Sequence, residues 1–582
     1  MTMSHPTQSV PMAPSPGEQR TWRVDAGAVG MWVLLAAGCA VVLPPFLYLI
    51  NTSLTVPLPG GQTAIGLDNY VRVVEIGGWD LWGVTLAFAA GASFFAVVLG
   101  ASTAWLVVRT NVPFRQAAFV GAFLSLAAPP IVKGIGWILL LGPNNGLINN
   151  LLRQWLEIEG TPIELFSLPG MIFIEGLLFT PIAFLLCLPS LSAMDPSLEE
   201  AAAMSGARWW RTLAKVTFPL ARPSLLAVLL LSFIRALESF EVPLLIGGPG
   251  GLETATTALY HTVHAGFMPR YGEASAYAVL LVIAVALPLA WYYRTTREAA
   301  RFATVTGKGF RLARIDLGWW KYPCALWVLV IPLALAAPLL IMLWASLLPL
   351  YSGPSADDFA RMTLANYRAV WMREDTVAGI YNSLLVGTGS ACAVAAAGLL
   401  MGWVVVRRCE LTRWAIDVVA SLPLVFPGIV LGIAVMVEFL DLRFIPIYGT
   451  VWILIFAFVV KFLPYGMRFC HAGVLSINRD LEDSAYMSGA GHPTVLRRIV
   501  LPLASPAVVA TWVYVFMNAI RDLSIAVLLS GPNNGIISIV ILDLWNNGEV
   551  PQLAALSVVV GAGAAVLGLV FMRASATHRL YG

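Results

Sequence analysis

Twelve apolar stretches, divided by short polar connections, leave this 582-residue chain few ways to fold. Each is long enough, at about 20 residues, to cross the hydrocarbon of a bilayer as a helix. They lie at roughly 27–50, 82–107, 117–141, 170–190, 223–247, 272–293, 323–349, 381–406, 414–439, 448–475, 507–529 and 553–572. With 59% hydrophobic and 12% charged residues and a mean hydropathy of +0.80, the chain carries more apolar surface than one water-soluble core can bury. The expectation is an all-α polytopic membrane protein whose solvent is lipid.

Lys and Arg set its orientation. Most of the 35 fall in the segments on the side of the N-terminus, among them Arg20, Arg23, Arg109, Arg115, Arg407, Arg408, Arg413 and the cations of the 294–321 segment. The positive-inside rule then places both termini in the cytoplasm. The net charge of +3 is a topology signal and gives no hint of nucleic acid as a partner. Residues 1–26 read as a disordered polar tail, and the first apolar span as an uncleaved anchor. The six cysteines lack metal-like spacing, so neither a disulfide framework nor a metal site is expected.

The chain is a tandem repeat. At an offset of 283, Phe179 matches Phe462, Pro181 matches Pro464, Cys187 matches Cys470, Gly206 matches Gly489, Pro223 matches Pro506, Phe233 matches Phe516, and Gly248-Pro249 matches Gly531-Pro532. Earlier in each half, Leu67-Asp68-Asn69-Tyr70 pairs with Leu364-Ala365-Asn366-Tyr367 at an offset of 297. The first half therefore holds 14 more residues between these landmarks. The 142–169 segment, with an amphipathic stretch from Leu147 to Ile158, is the economical place for them, because the second half has only a short connection near 440–447. Both halves start inside and cross an even number of times, so the repeats are parallel. The division is a first unit at 27–293, a basic linker at 294–321 and a second unit at 322–575.

One polar loop occurs in both halves. Leu198-Glu199-Glu200-Ala201-Ala202-Ala203-Met204-Ser205-Gly206 is echoed by Leu481-Glu482-Asp483-Ser484-Ala485-Tyr486-Met487-Ser488-Gly489, and each continues to a proline, Pro219 or Pro502, 13 residues past its glycine. Ala, Glu and Met favour helix, the glycine permits a sharp turn, and Arg208, Arg211 and Lys215 follow on a second short helix expected to end before Pro219. A single copy would also fit an ordinary polar connection; two at matching positions argue against that.

The pattern resembles the EAA loop of ABC importer permeases. Glu200-Ala201-Ala202, Gly206, Val216, Phe218 and Pro219 fit it in the first half, and Asp483-Ser484-Ala485, Gly489, Ile499, Leu501 and Pro502 in the second, where Asp483 and Ser484 are the departures. In detail the chain is similar to fused, two-unit permeases of ferric-iron importers and their relatives for phosphonates, polyamines and thiamine. Its linker, Ala303 to Phe310 followed by Ile315-Asp316-Leu317-Gly318, looks most like the iron(III) group. The resemblance implies a type I importer fold with two parallel six-helix repeats in a bacterial inner membrane. It further implies an extracytoplasmic binding protein that delivers solute, and two copies of an ATPase subunit that dock on Glu199, Glu200, Ala201, Ala202, Gly206, Glu482, Asp483, Ser484, Ala485 and Gly489. The chain has no G-x-x-x-x-G-K-[ST] phosphate cradle, so no cofactor is expected on it and ATP is the partners' to handle. It is expected to be a transport subunit and not an enzyme. The rival class is an ion-coupled secondary transporter, which needs no EAA loop.

Charges inside the spans are the remaining signal, since each costs about 3 kcal/mol at the bilayer centre unless paired or wetted. Arg235, Glu238 and Glu241 lie in the fifth span, and Arg521 and Asp522 in its counterpart. The repeat sets Glu238 at the position of Arg521, which leads to two readings. In one, Glu238 meets Arg521 and Arg235 meets Asp522, forming a gate or path lining; in the other, each charge snorkels to headgroups. Lys133, Glu175 and Lys461 are read as structural in-span charges, and His261 and His264 as solvated loop residues and not as metal ligands.

Overall fold

The computed structural model describes residues 26–57, 62–195, 197–264, 269–301, 314–351, 356–407, 410–442 and 444–580. The tail and the linker stretch Ala303 to Phe310 lie outside them. Among the described residues ten helices are long and apolar enough to cross a membrane, and two bent helix pairs bring the number to 12. In chain order span 1 is Ala26–Leu54, span 2 Asp68–Arg109, span 3 the pair Arg115–Leu126 and Pro130–Leu141, span 4 Leu168–Ser192, span 5 Trp209–Leu237 and span 6 Tyr271–Arg301. The second half repeats this with span 7 Lys321–Ser346, span 8 Glu374–Arg407, span 9 the pair Arg413–Val425 and Gly428–Asp441, span 10 Val451–Leu475, span 11 His492–Arg521 and span 12 Val550–Leu580. A two-stranded ribbon, Thr55–Pro57 against Thr63–Ile65, is the one sheet among the described residues.

Spans 3 and 9 are not the straight crossings the apolar runs predict. They bend by 108° and 105°. The cause is proline: Ala128 precedes Pro129-Pro130 and Phe426 precedes Pro427, and both residues are extended (φ −82°, ψ 142° and φ −102°, ψ 114°) because a proline ring excludes the helical region from the residue before it. Spans 5 and 11 also differ from expectation. Each begins in the second helix of the repeated loop and runs through Pro219 or Pro502 without stopping. A π-turn, Leu213–Thr217 or Leu496–Val500, precedes the proline in each and displaces the carbonyl its ring would strike. Both spans then stop at Leu237 and Arg521, short of the apolar run's end, and the chain turns just ahead of the acidic Glu238, Glu241 and Asp522.

The first span of each half packs on the other half. Span 1 lies against both arms of span 9 and against span 6, with the Phe46 and Phe426 rings stacked at 3.5 Å between centroids. Span 7 lies against both arms of span 3 and against span 12. The approach is close enough that a methyl group at Gly136 would sit 2.5 Å from the Pro338 carbonyl, so only glycine fits there. The paired Asn-Tyr motif fastens each first span to its own half. Asn69 donates through Nδ2 to the carbonyls of Ser53 (3.0 Å) and Thr55 (2.9 Å), and Asn366 to those of Ser346 (2.9 Å) and Leu348 (2.7 Å). Tyr70 and Tyr367 each share a 2.8 Å hydrogen bond with the serine of that pair.

The surplus of the first half is a helix, Leu147–Leu156, whose Trp155 is 79% exposed on the face opposite the repeated loops. On the other face the chain entering span 7 is clipped to the loop after span 2: Asn111 donates to Asp316 Oδ1 (2.6 Å) and accepts from the Leu317 N–H (3.1 Å). Ile315 to Gly318, which resemble the iron(III) group, thus hold two loops together.

Replacing Asn366 by Ala strips two buried carbonyls of their donor, which costs about 1–3 kcal/mol for each group left unpaired. The detergent-solubilised protein should unfold at a lower temperature, and Asn69→Ala should do the same; an unchanged midpoint in both would show that the clasp contributes nothing.

Candidate functional site

Spans 3, 4 and 5 meet spans 9, 10 and 11 around a cavity of about 170 Å³. Its lining includes Lys133, Glu175, Arg235, Glu238, Glu241, Lys461, Arg521 and Asp522, four cations and four carboxylates. All five charges proposed for the path are there, together with the three assigned structural roles. Arg235, Glu238, Glu241, Arg521 and Asp522 sit where spans 5 and 11 end and the backbone turns, and Lys133, Glu175 and Lys461 reach the cavity from spans 3, 4 and 10. The carbonyls freed at the turns are capped alike in both halves: Thr256 donates to the Ser239 carbonyl (2.8 Å) and Ser538 to that of Asp522 (2.9 Å), each from the first turn of the short helix that follows. Irregular backbone is tolerated at membrane depth only where protein buries it in this way.

The expected partners are not the observed ones. Glu238 does not pair with Arg521; it accepts from Arg235 (3.2 Å), one helical turn away in the same span. Asp522 pairs with Lys461 of span 10 instead of Arg235. Arg521 donates to Asn518 Oδ1 (2.9 Å) and across the interface to the Leu126 carbonyl at the bend of span 3. Lys133 donates to the Ser125 carbonyl (3.0 Å) on the other arm of that bend. Repeat arithmetic aligns positions along the sequence but says nothing of side-chain reach, and a partner one turn away needs less ordering than one across a cavity. Glu175 Oε2 is buried and has no partner among the described residues.

No charge of the cavity is matched by a like charge at the equivalent position of the other half. At the offset of 283, Glu175 faces Phe458, Leu178 Lys461, Arg235 Asn518, Glu238 Arg521, Ser239 Asp522, and Glu241 Ser524. The symmetric scaffold encloses a chemically asymmetric space.

The repeated loops form the second site. Each is a short helix, Ser197–Met204 or Arg479–Met487, followed by a glycine with positive φ, Gly206 at 78° and Gly489 at 84°, and then by the helix that becomes span 5 or 11. A side chain at either glycine would be strained by the backbone. Glu200, Ala201, Asp483 and Ser484 are exposed, and Ala202 and Ala485 half-buried. Met204 and Met487, at the ends of the two helices, are 90% and 89% exposed, beside half-exposed Leu198 and Leu481. Glu199 and Glu482, expected among the docking contacts, turn the other way and are buried under the helix. A carboxylate in a polar loop reads as solvated; only the fold brings an arginine beneath it.

His261 and His264 lie on a helix, Ala255–His264, and not in a loop, and His261 Nδ1 is 2.7 Å from Glu253 Oε1, a carboxylate neighbour the sequence reading did not provide. No group of three or more metal-ligating side chains occurs among the described residues.

The family described as binding-protein-dependent transport system inner membrane component matches the chain twice, over residues 96–297 and 395–577. The chain is 27% identical over 458 residues to the ferric transport system permease protein FbpB of Actinobacillus pleuropneumoniae, covering 77% of this chain and 64% of that one. It therefore spans less than two thirds of that relative's own length. Over 231 residues, 38% of the chain, it is 30% identical to the trehalose/maltose transport system permease protein MalF of Thermococcus litoralis (76% of that protein). Over an equal length it is 28% identical to the molybdenum transport system permease protein ModB of Escherichia coli K12 (96% of that protein). Matched in both halves by one family and folded into two repeats of membrane helices, the chain belongs to the binding-protein-dependent inner membrane components, the permease subunits of ABC importers, with two units in one polypeptide.

Proposed function

We propose that this chain forms the conducting path of an importer for iron(III), delivered by an extracytoplasmic binding protein and driven by two ATPase subunits that bind its two EAA helices. The observation that carries this reading is the pair of surface helices, alike in turn geometry and each ending in an almost fully exposed methionine. A long apolar side chain held in water at both equivalent positions is unfavourable for a lone subunit and favourable for one that buries it in a partner's groove. Iron(III) is supported by the linker resemblance and by the ferric relative, the most extensive of the three similarities described. In this reading both termini and the EAA helices face the cytoplasm, which the distribution of Lys and Arg supports.

ATP binding closes the two ATPases and draws the EAA helices together. Spans 5 and 11 follow those helices after one tight turn at Gly206 or Gly489, so their motion reaches the charged ends of the same spans at the cavity. The pairs Arg235–Glu238 and Lys461–Asp522 each lie within one half, and the halves can separate without breaking either. Of the cavity's charged side chains, Arg521 is the one that, among the described residues, hydrogen-bonds across to the other half, at the span 3 carbonyl, which makes it the residue that senses opening.

Reconstitution with the ATPase and binding protein tests the reading directly. Uptake of radioactive iron(III) should need ATP and both partners; uptake driven by an ion gradient without ATPase would replace the importer by a secondary transporter. Changing Met204 and Met487 together to Glu removes about 1.5–3 kcal/mol of burial per site and should reduce ATPase co-purification by roughly tenfold or more. Lys461→Asp or Asp522→Lys alone leaves two like charges in the cavity and should reduce uptake about tenfold, whereas the double exchange should restore much of it. Loss that persists in the double variant, with normal insertion, would show that the pair is not what the path requires.

A further inference from the structure

Beneath each EAA helix lies an ion pair that docking on an ATPase does not use. Arg109, the last residue of span 2, is fully buried and grips Glu199 through both Nε (3.0 Å) and Nη2. Its Nη1 donates to the Met194 carbonyl at the end of span 4 (3.2 Å). In the second half Arg407, the last residue of span 8, donates to Glu482 through Nε (2.8 Å) and through Nη2 to the Ile477 carbonyl at the end of span 10 (2.9 Å). Met194 and Ile477 are equivalent at the offset of 283, and Arg109 and Arg407, each the last residue of its span, stand 298 apart, so both halves make the same three-way joint.

The two joints differ in one donor. Thr217, at the start of span 5, gives Glu199 a 2.6 Å hydrogen bond. Its equivalent in the second half is Val500, which has no hydroxyl, and there Trp403 of span 8 supplies the donor instead, Nε1 to Glu482 at 3.0 Å. Trp105, which stands to Arg109 as Trp403 stands to Arg407, keeps its indole N–H buried and unpaired among the described residues. Each carboxylate thus has a further donor besides its arginine, from span 5 in one half and from span 8 in the other. An ion pair kept buried with its remaining lone pairs satisfied costs several kcal/mol to break by removing one partner.

We propose that Glu199 and Glu482 are positioning residues that act through Arg109 and Arg407 to transmit movement of the EAA helices to spans 2 and 4 and to spans 8 and 10. Because Thr217 adds span 5 to the first joint and Val500 adds nothing to the second, the first EAA helix is tied to three spans and the second to two. The two ATPases therefore act on the path through unequal linkages. This rests on the importer reading and adds the residues that carry its stroke.

The test uses the full chain assembled with its ATPase and measures three quantities: ATPase co-purified per chain, thermal stability of the complex, and the ratio of binding-protein-stimulated to basal ATP hydrolysis. Glu199→Gln and Glu482→Gln should keep the first and lower the third about tenfold. Thr217→Val deletes a single donor to a charged acceptor at nearly constant volume, and Trp403→Phe deletes one while keeping an aromatic ring in place, so they decide the matter if the glutamate variants do not assemble. A loss of ~1.5 kcal/mol per donor corresponds to about tenfold in the ratio. Adding Val500→Thr to Trp403→Phe should restore the ratio, since it supplies the hydroxyl at the position Thr217 occupies in the first half. An unchanged ratio in Thr217→Val and Trp403→Phe would overturn the proposal, as would a fall that follows reduced ATPase binding, which would make the glutamates docking contacts. A wild-type chain that binds no ATPase would overturn the importer reading itself, before any variant is compared.

Discussion

The cost of an ion in hydrocarbon governs this structure. Eight ionisable side chains, on spans 3, 4, 5, 10 and 11 or in the turns that end spans 5 and 11, line one cavity between the halves. Gathering them needs helices that stop or bend where the charges are, and proline supplies the bends of spans 3 and 9 while spans 5 and 11 end just ahead of their acidic residues. The freed backbone is then capped by hydroxyls from the short helices that follow. Breaks, charges and caps are therefore one arrangement, and removing any of them would leave unpaired polar groups in a low-dielectric setting.

Around that interior the two halves are held by exchange of their first spans. Span 1 covers span 9 and span 7 covers span 3, so the bent helices that flank the cavity are backed by the opposite half. A rocking motion of the halves then carries each first span with the bent helix it supports. The Asn-Tyr clasps keep that span fastened to its own half during the exchange, through the start of span 2 in the first half and through the short helix Ala365–Met372 ahead of span 8 in the second. On the opposite side of the molecule the buried arginine–glutamate joints do the equivalent task for the EAA helices.

Duplication explains the scaffold, and divergence has acted where symmetry is not needed. The arginine–glutamate pairs, the clasps and the positive-φ glycines recur with the same chemistry, because they serve backbone geometry that both halves share. The cavity positions do not recur: a carboxylate in one half stands opposite a phenylalanine, an arginine or a serine in the other. A single polypeptide frees each position from its duplicate, which a homodimer of one unit could not do.

The chain's apolar runs, its repeat register and its paired loops determined that it spans a membrane twelve-fold in two parallel units and that each unit presents a helix-turn-helix at the same face. These are local or periodic properties, set by composition and spacing along the chain. Pro129-Pro130 and Pro427 stand inside apolar runs that read as single crossings, because hydropathy does not register direction. Which charges share a space, that Glu238 binds Arg235 and Asp522 binds Lys461, and that Glu199 and Glu482 face inward to Arg109 and Arg407 were decided only by the tertiary structure. The physical reason is that an ion pair is fixed by distance and burial, and both depend on how helices separated by as many as ninety residues come to lie against each other.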